Sequence, residues 1–293
     1  SYAVEGGIPT FWAALLSQVF WGIGGTFTSG ATQAWIADED LHVRAGIAPT
    51  PDGGFVVAVR GSSGSWDPLL TVGQEDAITT NPIGLNTAGT ALFMVTSVGA
   101  NAGRLVRLDL DSREQTVLYE DPQYDVTQVQ QHPDTKEPQA VAVLRERLEW
   151  HVLDPSMAAD LDAVGRLADG DVELLSRDHA DRIWIVAVVD DDGPVRYYRW
   201  DRDAKEATFL FTNRPELESY QLATMEPFSF TARDGLVVHG YVSFPPGVER
   251  SGLPAVLNVH GGPWARDVWG FNSEAQWFAS RGYVCVQVNF RGS

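Results

Sequence analysis

The C-terminal forty residues contain the pattern that most restricts the fold. An apolar run at 255–259 precedes a glycine-containing loop, an amphipathic stretch at about 271–280 and a second apolar run at 284–289. Apolar runs separated by a helical pattern predict a β-loop-α-β unit with parallel strands. Two glycines, Gly261 and Gly262, mark the turn after the first strand. Because glycine lacks a Cβ, backbone N–H groups there can face open space, where an anion can bind.

The preceding part of the chain reads as an array of short β-strands. The block 171–211 has four runs joined by segments rich in Asp, Gly, Pro and charged residues, which favour tight turns. Four antiparallel strands in about forty residues match one blade of a β-propeller, and an array of β-sandwiches is the alternative. The fold class is therefore predicted to be mainly β. The predicted strands lie at 55–59, 91–96, 105–110, 115–119, 139–144, 150–153, 183–189, 195–200 and 207–211.

The strand rhythm also predicts the domain organisation. It stops near Met225, so residues 1–225 are predicted to form the propeller and residues 226–293 a second domain. Fewer than six blades fit before this boundary, and the propeller is therefore expected to be incomplete. Helical spacing over 154–167 indicates an insertion within a blade, and the stretch 228–244 reads as a hairpin that begins the second domain.

Composition excludes several classes of partner. The net charge of −18 argues against nucleic acid and against an anionic membrane surface. The most apolar segment, 11–27, is shorter than the roughly 20 residues that span a membrane. The single cysteine, Cys285, lies in an apolar strand pattern, so we expect a small buried hydrophobe and no disulfide. A reducing compartment follows, and the chain is predicted to be cytoplasmic.

The motif His260-Gly261-Gly262-Pro263 directly follows a predicted strand. It resembles the loop with which α/β-hydrolases build half of their oxyanion hole, the other half coming from the residue after the nucleophile. Acyl transfer develops negative charge on the carbonyl oxygen, and a fixed hydrogen-bond donor lowers that barrier. The backbone N–H of Gly262 is the candidate donor. A strand-to-helix turn with a purely structural role is the alternative.

The surrounding sequence is similar to the prolyl oligopeptidase family of serine peptidases, particularly its acylaminoacyl-peptidase and dipeptidyl-peptidase-like branch. The resemblance is strong from about residue 125 and weaker before it. It implies a β-propeller that caps an α/β-hydrolase, so the chain is expected to hold a partial β-propeller followed by the first strands and helix of an α/β-hydrolase domain. The matching stretches are 190–195, 213–215, 232–235, 260–267, 269–272, 276–277, 281–283 and 287–293.

No Gly-x-Ser-x-Gly nucleophile elbow occurs in the sequence. In the family the catalytic Ser, Asp and His follow beyond the point where this chain stops, so the resemblance implies an N-terminal and central fragment that lacks the triad and is inactive alone. The implied partners are short peptide substrates and the missing C-terminal catalytic segment, and a homo-oligomer is a further candidate assembly. No cofactor is expected.

The histidines have structural interpretations. His260 lies in the glycine loop, and a hydrogen-bonding role is favoured over a general base because the family's catalytic histidine lies elsewhere. The others lack the spacing of metal ligands, so no metal site is predicted. They are His42, His132, His151, His179 and His239.

Charged residues near the proposed site also have two interpretations each. Residues 190–192 form an acidic cluster that can attract a cation or a peptide amine, but a solvated hairpin turn is favoured. Glu216 and Glu218 can meet a substrate amino terminus, but an exposed linker is favoured. Arg266 and Asp267 are predicted to form a local ion pair that shapes the glycine loop, a packing role that is favoured over a catalytic one.

Three functional hypotheses remain. The first is a serine peptidase that hydrolyses short peptides, with acylated or unblocked amino termini, through an acyl-enzyme. In it the propeller admits only small, unfolded substrates. The second is a non-catalytic propeller module that binds peptides. The third is an esterase of the same hydrolase fold, which would turn over acyl esters and not peptide amides.

Overall fold

The computed structural model describes residues 34–61, 64–262 and 264–293. Its contacts divide the chain into two compact units, the first ending at Gln123 and the second beginning at Tyr124. The apolar segment 11–27 and Pro263 lie outside the described residues. Among the residues that are described, no helix is long and apolar enough to cross a membrane.

The first unit contains two antiparallel sheets, each of four strands in sequential order. Val57 of the first sheet packs with Leu92, Met94 and Val106 of the second, and all four side chains are fully buried. Burial of such side chains contributes about 1.5–3 kcal/mol each. The strands are β1 (Ala34–Ala37), β2 (Val43–Pro49), β3 (Phe55–Arg60), β4 (Trp66–Val72), β5 (Asn81–Leu85), β6 (Ala91–Thr96), β7 (Arg104–Asp109) and β8 (Gln115–Tyr119), with a 3-10 helix at Gln74–Asp76.

The second unit begins with two further antiparallel sheets. Between them lie a 3-10 helix (Pro155–Met157) and helix α1 (Ala158–Val164). The predicted helix is thus confirmed, but it is not inserted within a sheet. It follows the third strand of one sheet directly and precedes the next sheet. The strands are β9 (Val126–Gln131), β10 (Pro138–Leu144), β11 (Leu148–Val152), β12 (Asp171–Arg177), β13 (Ile183–Val189), β14 (Arg196–Asp201) and β15 (Glu206–Thr212).

A buried carboxylate lies in the core that these two sheets share with α1. Asp160 is 1% exposed and lies near Trp200, which belongs to the apolar cluster around Trp184. It accepts hydrogen bonds from Trp200 Nε1 (2.9 Å), Arg202 Nε (3.0 Å) and Lys205 Nζ (2.6 Å). Three donors thus satisfy a charge that would otherwise be costly to bury.

The last sheet contains strands β16 (Met225–Thr231), β17 (Val237–Ser243), β18 (Ala255–Asn258) and β19 (Val284–Asn289) in the order β16-β17-β19-β18. β18 and β19 are parallel, and helix α2 (Ser273–Ala279) connects them. The predicted β-loop-α-β unit is confirmed. The Asn272 side chain caps α2 by accepting hydrogen bonds from the N–H groups of Glu274 and Ala275.

Glycine allows β17 to lie against β19. A Cβ on Gly240 would be only 2.2 Å from Gln287 O, so any side chain there would push the two strands apart. The mainly β architecture agrees with the predicted pattern, and the predicted limits of β6, β8 and β13 match the observed ones. The sheet changes at Met225, where β16 begins, and the division into domains at this residue stays a prediction.

We predict that Asp160→Asn lowers the free energy of unfolding at pH 7 by about 3 kcal/mol, because it removes a buried charge while its cationic partners stay. Burial alone would raise the pKa of Asp160, but the hydrogen bonds from Lys205, Trp200 and Arg202 outweigh it and hold the pKa below its usual value. The carboxylate therefore stabilises the fold above about pH 4, and this contribution is lost as the pH falls through the lowered pKa.

Urea unfolding followed by tryptophan fluorescence measures this effect. The deficit of the variant should shrink below about pH 4, where the carboxyl group of the unfolded wild-type chain becomes protonated, and should disappear as the pH falls through the lowered pKa of the folded state. Asp162→Asn is the matched control, since Asp162 forms an exposed pair with Arg166 and should change stability by less than about 0.5 kcal/mol. An Asp160→Asn protein as stable as this control at pH 7 would contradict the account.

Cys285 of β19 is fully buried, as predicted. Burial, with smaller effects from Asp267 and Glu274, raises the pKa of its thiol to about 11. We therefore expect the folded protein to react with a thiol reagent at pH 8 far more slowly than the urea-unfolded protein, because only the thiolate attacks. Equal rates in absorbance assays of labelling would show that the thiol is accessible.

Candidate functional site

The glycine loop (residues 260–262) follows the carboxyl end of β18. Gly262 has φ +152°, and a Cβ there would lie 3.1 Å from Trp264 N and 3.3 Å from Ala265 N. Within the described part of the chain, none of the N–H groups of Gly262, Trp264 and Ala265 donates a hydrogen bond. Gly262, Trp264 and Ala265 therefore present backbone donors without partners among the described residues, and a side chain at position 262 would crowd them.

The His260 ring is held by one stacking contact and by one polar contact at each of its two nitrogens. Its ring stacks on Phe290 with 4.3 Å between centroids and 12° between planes. Nδ1 lies 2.7 Å from Gly261 O, and Nε2 lies 3.0 Å from the Ser293 hydroxyl oxygen. These are the contacts of the structural hydrogen-bonding role that the sequence favours.

The residue Asp267 is clamped to β19 by two side-chain amides. Asp267 N donates to Asn289 Oδ1 (2.7 Å), and Asn289 Nδ2 donates to Asp267 O (3.0 Å). Gln287, only 1% exposed, donates from Nε2 to Asp267 Oδ1 (2.6 Å). Asp267 Oδ2 is buried and has no hydrogen-bond partner within the described residues. The strand thus holds both the backbone and the side chain of this residue.

Arg266 and Asp267 bind different partners, so the predicted ion pair between them is wrong. Its guanidinium donates from Nη1 to Leu144 O (3.1 Å) and from Nη2 to Arg145 O (3.0 Å). The physical reason is geometric, because the planar guanidinium offers parallel N–H groups that match two successive carbonyls. Arg266 therefore contacts the β10–β11 turn (residues 145–147) and the residue before it.

The β10–β11 turn makes further contacts with the last sheet and the segment after the glycine loop. The Tyr241 hydroxyl donates to Glu146 O (2.9 Å). The Arg147 guanidinium lies 3.3 Å from the ring centroid of Trp269, an arrangement that favours cation–π attraction. Trp269 Nε1 in turn donates to Met225 O (2.9 Å). We call residues 264–269 the strap, since they connect the glycine loop to this turn.

A cavity of about 260 Å³ adjoins the strap. Asp171 in its wall is already bonded to Arg147 Nε (2.6 Å) and to Leu148 N (2.9 Å). Glu173 is half-buried, and its carboxylate has no hydrogen bond or ion pair with any residue that the structure describes. The sequence pattern does not reveal this site, because its walls come from separate strands. They are formed by Thr127, Gln128, Leu144, Leu148, Asp171, Glu173, Val189, Val268 and Trp269.

The acidic cluster is not the solvated turn that the sequence favours. Asp190 and Asp191 are each 9% exposed. Asp190 Oδ2 accepts a hydrogen bond from Arg196 Nη1 (2.8 Å), and the Asp191 carboxylate accepts one from the backbone N–H of Met225. Burial raises the pKa of Asp191, and burial with the neighbouring Asp190 raises that of Asp192. The cluster thus anchors the start of β16.

The two linker carboxylates lie where an exposed linker was predicted. Glu216 and Glu218 are exposed on a 3-10 helix (Pro215–Ser219). Just beyond it, the Gln276 side chain of α2 accepts from Ala223 N (2.8 Å) and donates to Ala223 O (2.7 Å). The linker is therefore attached to α2 through a contact that its sequence does not indicate.

Comparisons with known proteins relate the chain to peptidases, although no protein-family model matches it. The chain is 38% identical over 266 residues to the dipeptidyl aminopeptidase BIII of Pseudoxanthomonas mexicana. It is 29% identical over 287 residues to the dipeptidyl peptidase family member 6 of Caenorhabditis elegans. These matches cover 88% and 87% of the chain, which spans only 39% of the length of each relative.

A solved prolyl endopeptidase has a similar structure. The match covers 89% of this chain and 38% of that protein, with a TM-score of 0.66 and 16% sequence identity. At this identity the likeness shows the fold. It confirms the predicted class, a partial β-propeller followed by the first strands and helix of an α/β-hydrolase domain.

Proposed function

Because the chain belongs to the prolyl oligopeptidase family, we propose that it is part of a serine peptidase that hydrolyses short peptides. In this proposal residues 1–225 form the propeller, which limits access to small unfolded substrates. Residues 226–293 begin the catalytic domain and supply half of the oxyanion hole. The chain by itself would have no peptidase activity, since the sequence contains no Gly-x-Ser-x-Gly motif.

The observation that carries this proposal is the N–H of Gly262, which donates to no residue in the described part of the chain. It follows the carboxyl end of β18, the third strand of its sheet in chain order, where α/β-hydrolases place an oxyanion donor. The φ of +152° suits glycine and few other residues. A donor fixed in this way loses no freedom when charge develops, which is the condition for transition-state stabilisation.

The proposed reaction is acyl transfer through a covalent intermediate. A serine supplied by a part of the protein outside this sequence attacks the peptide carbonyl, and a histidine accepts its proton and passes it to the leaving amine. The carbonyl oxygen becomes an oxyanion, which accepts a hydrogen bond from Gly262 N–H. The residue after the serine supplies the second donor. Water then releases the acyl group by the same route.

We further propose that the substrates carry a free amino terminus. Two relatives are named as a dipeptidyl aminopeptidase and a dipeptidyl peptidase. The cavity beside the strap contains Glu173, a half-buried carboxylate without a partner among the described residues. A partly desolvated carboxylate attracts a substrate ammonium group and disfavours a neutral acylated amine. Trp269 and Val268 would contact the apolar part of the same residue.

Gly262→Pro in the full-length protein tests the oxyanion assignment, because proline has no backbone N–H. We expect kcat to fall by about 10²- to 10³-fold in assays with a chromogenic dipeptide amide. Gly261→Ala is the control, since a Cβ on Gly261 meets nothing within 4 Å, and it should retain kcat within about twofold. Acyl transfer by Gly262→Pro at the wild-type rate would rule out the assignment.

Glu173→Gln tests the amine site separately. Loss of a charge-assisted hydrogen bond of about 1.5–3 kcal/mol should raise KM for free dipeptide amides roughly 10- to 100-fold, with little change in kcat. Glu216→Gln, which neutralises an exposed linker carboxylate, is the matched control. If Glu216→Gln raised KM and Glu173→Gln did not, the amine would bind at the linker, and our assignment of Glu173 would be wrong.

A further inference from the structure

We infer that Asn289 and Arg266 are positioning residues that fix the glycine loop, so that the β10–β11 turn helps to set the position of the Gly262 donor. The inference rests on the proposed function, since it concerns the placement of the proposed oxyanion donor. Asn289 and Arg266 would act by holding the loop in place and would not contact the substrate.

Asn289 holds the middle of the strap, at Asp267, in a manner that resembles strand pairing. Its side-chain amide both accepts from Asp267 N (2.7 Å) and donates to Asp267 O (3.0 Å). A single side chain thus satisfies both backbone groups of one residue and leaves it little freedom to shift or rotate. The adjacent bond from Gln287 Nε2 to Asp267 Oδ1 (2.6 Å) fixes the side chain as well.

Arg266, the residue before Asp267, is bonded to a different sheet. The carbonyls it binds, of Leu144 and Arg145, lie 122 and 121 residues away in the chain. The β10–β11 turn is itself immobilised, because the Asp171 carboxylate accepts from Arg147 Nε (2.6 Å) and Leu148 N (2.9 Å). Arg266 is therefore attached to a fixed point on the sheet formed by β9–β11.

The residues nearest to Gly262 depend on these two attachments. Trp264 is 73% exposed, and Ala265 is exposed as well, so the described residues between Gly262 and Arg266 have no buried anchor of their own. A catalytic donor must stay within about 0.5 Å of its productive position. Among the described residues after Gly262, the first half-buried attachments are those of Arg266 and Asp267. Removing either should let the loop, and with it the N–H, move out of place.

The test uses the full-length enzyme and two measurements, steady-state kinetics and the affinity of a peptide boronate, which forms a tetrahedral adduct. We expect Asn289→Ala to lower kcat roughly 10- to 100-fold with KM unchanged, and to weaken boronate binding by a similar factor. Asn289→Asp, which keeps the acceptor and loses the donor, should have an intermediate effect. Arg266→Lys, which loses the paired geometry but keeps the charge, should also lower kcat.

Asn101→Ala and Arg250→Lys are controls, since both residues make exposed contacts, with Pro122 O and Glu226 respectively. They should leave kcat and boronate affinity within about twofold of the wild type. If Gly262→Pro lowers kcat while Asn289→Ala and Arg266→Lys match these controls, the inference is overturned and the proposed function stands. An effect on KM alone would also overturn it. An unaffected Gly262→Pro protein would instead refute the proposed function.

Discussion

The paired hydrogen bonds from Arg266 to the carbonyls of Leu144 and Arg145 are the interaction on which the account of the site depends. They join a loop of the α/β sheet to a turn of an antiparallel sheet formed much earlier in the chain. Tyr241 and Trp269 add contacts to the same turn from β17 and from the strap. The glycine loop therefore takes its position from two sheets. These contacts explain how a short, exposed loop can hold the Gly262 N–H in a fixed position.

The second unit repeatedly pairs buried carboxylates with fixed donors. Asp160, Asp171 and Asp191 each accept hydrogen bonds from groups distant in sequence, among them Arg202, Arg147 and the backbone N–H of Met225. In a chain with a net charge of −18, each such carboxylate would destabilise the fold if its partner were removed. These carboxylates instead connect one sheet or segment to the next, at points where apolar packing alone would not specify orientation.

Sequence reasoning succeeded where the pattern is local. The β-loop-α-β unit follows from the apolar runs, the two glycines and the helical spacing, and β13 follows from a continuous apolar run. The strand β9 is not apparent, because its sequence is rich in Gln and lacks a clear apolar alternation. One of these residues, Gln130, donates to Leu174 O of the next sheet, so its polarity serves a long-range contact.

Long-range contacts also explain why the sequence prediction was wrong about the Arg266–Asp267 ion pair and missed the cavity beside the strap. Arg266 and Asp267 are adjacent and opposite in charge, which suggests a local ion pair, but each has a better partner far away in the chain. The sequence could not indicate the cavity around Glu173 either, since its walls come from the five strands β9 to β13 and from the strap. The glycine loop was predictable because it needs a backbone conformation with positive φ, which favours glycine, and the sequence has Gly262 at this position.

A crystal structure of the full-length protein with a bound peptide boronate tests the central claim most directly. We expect a boronate oxygen about 2.7–3.1 Å from Gly262 N, with Arg266 still bonded to the carbonyls of Leu144 and Arg145 and Asn289 still bonded to Asp267. A boronate oxygen held by other donors, with the Gly262 N–H directed away from it, would contradict the account.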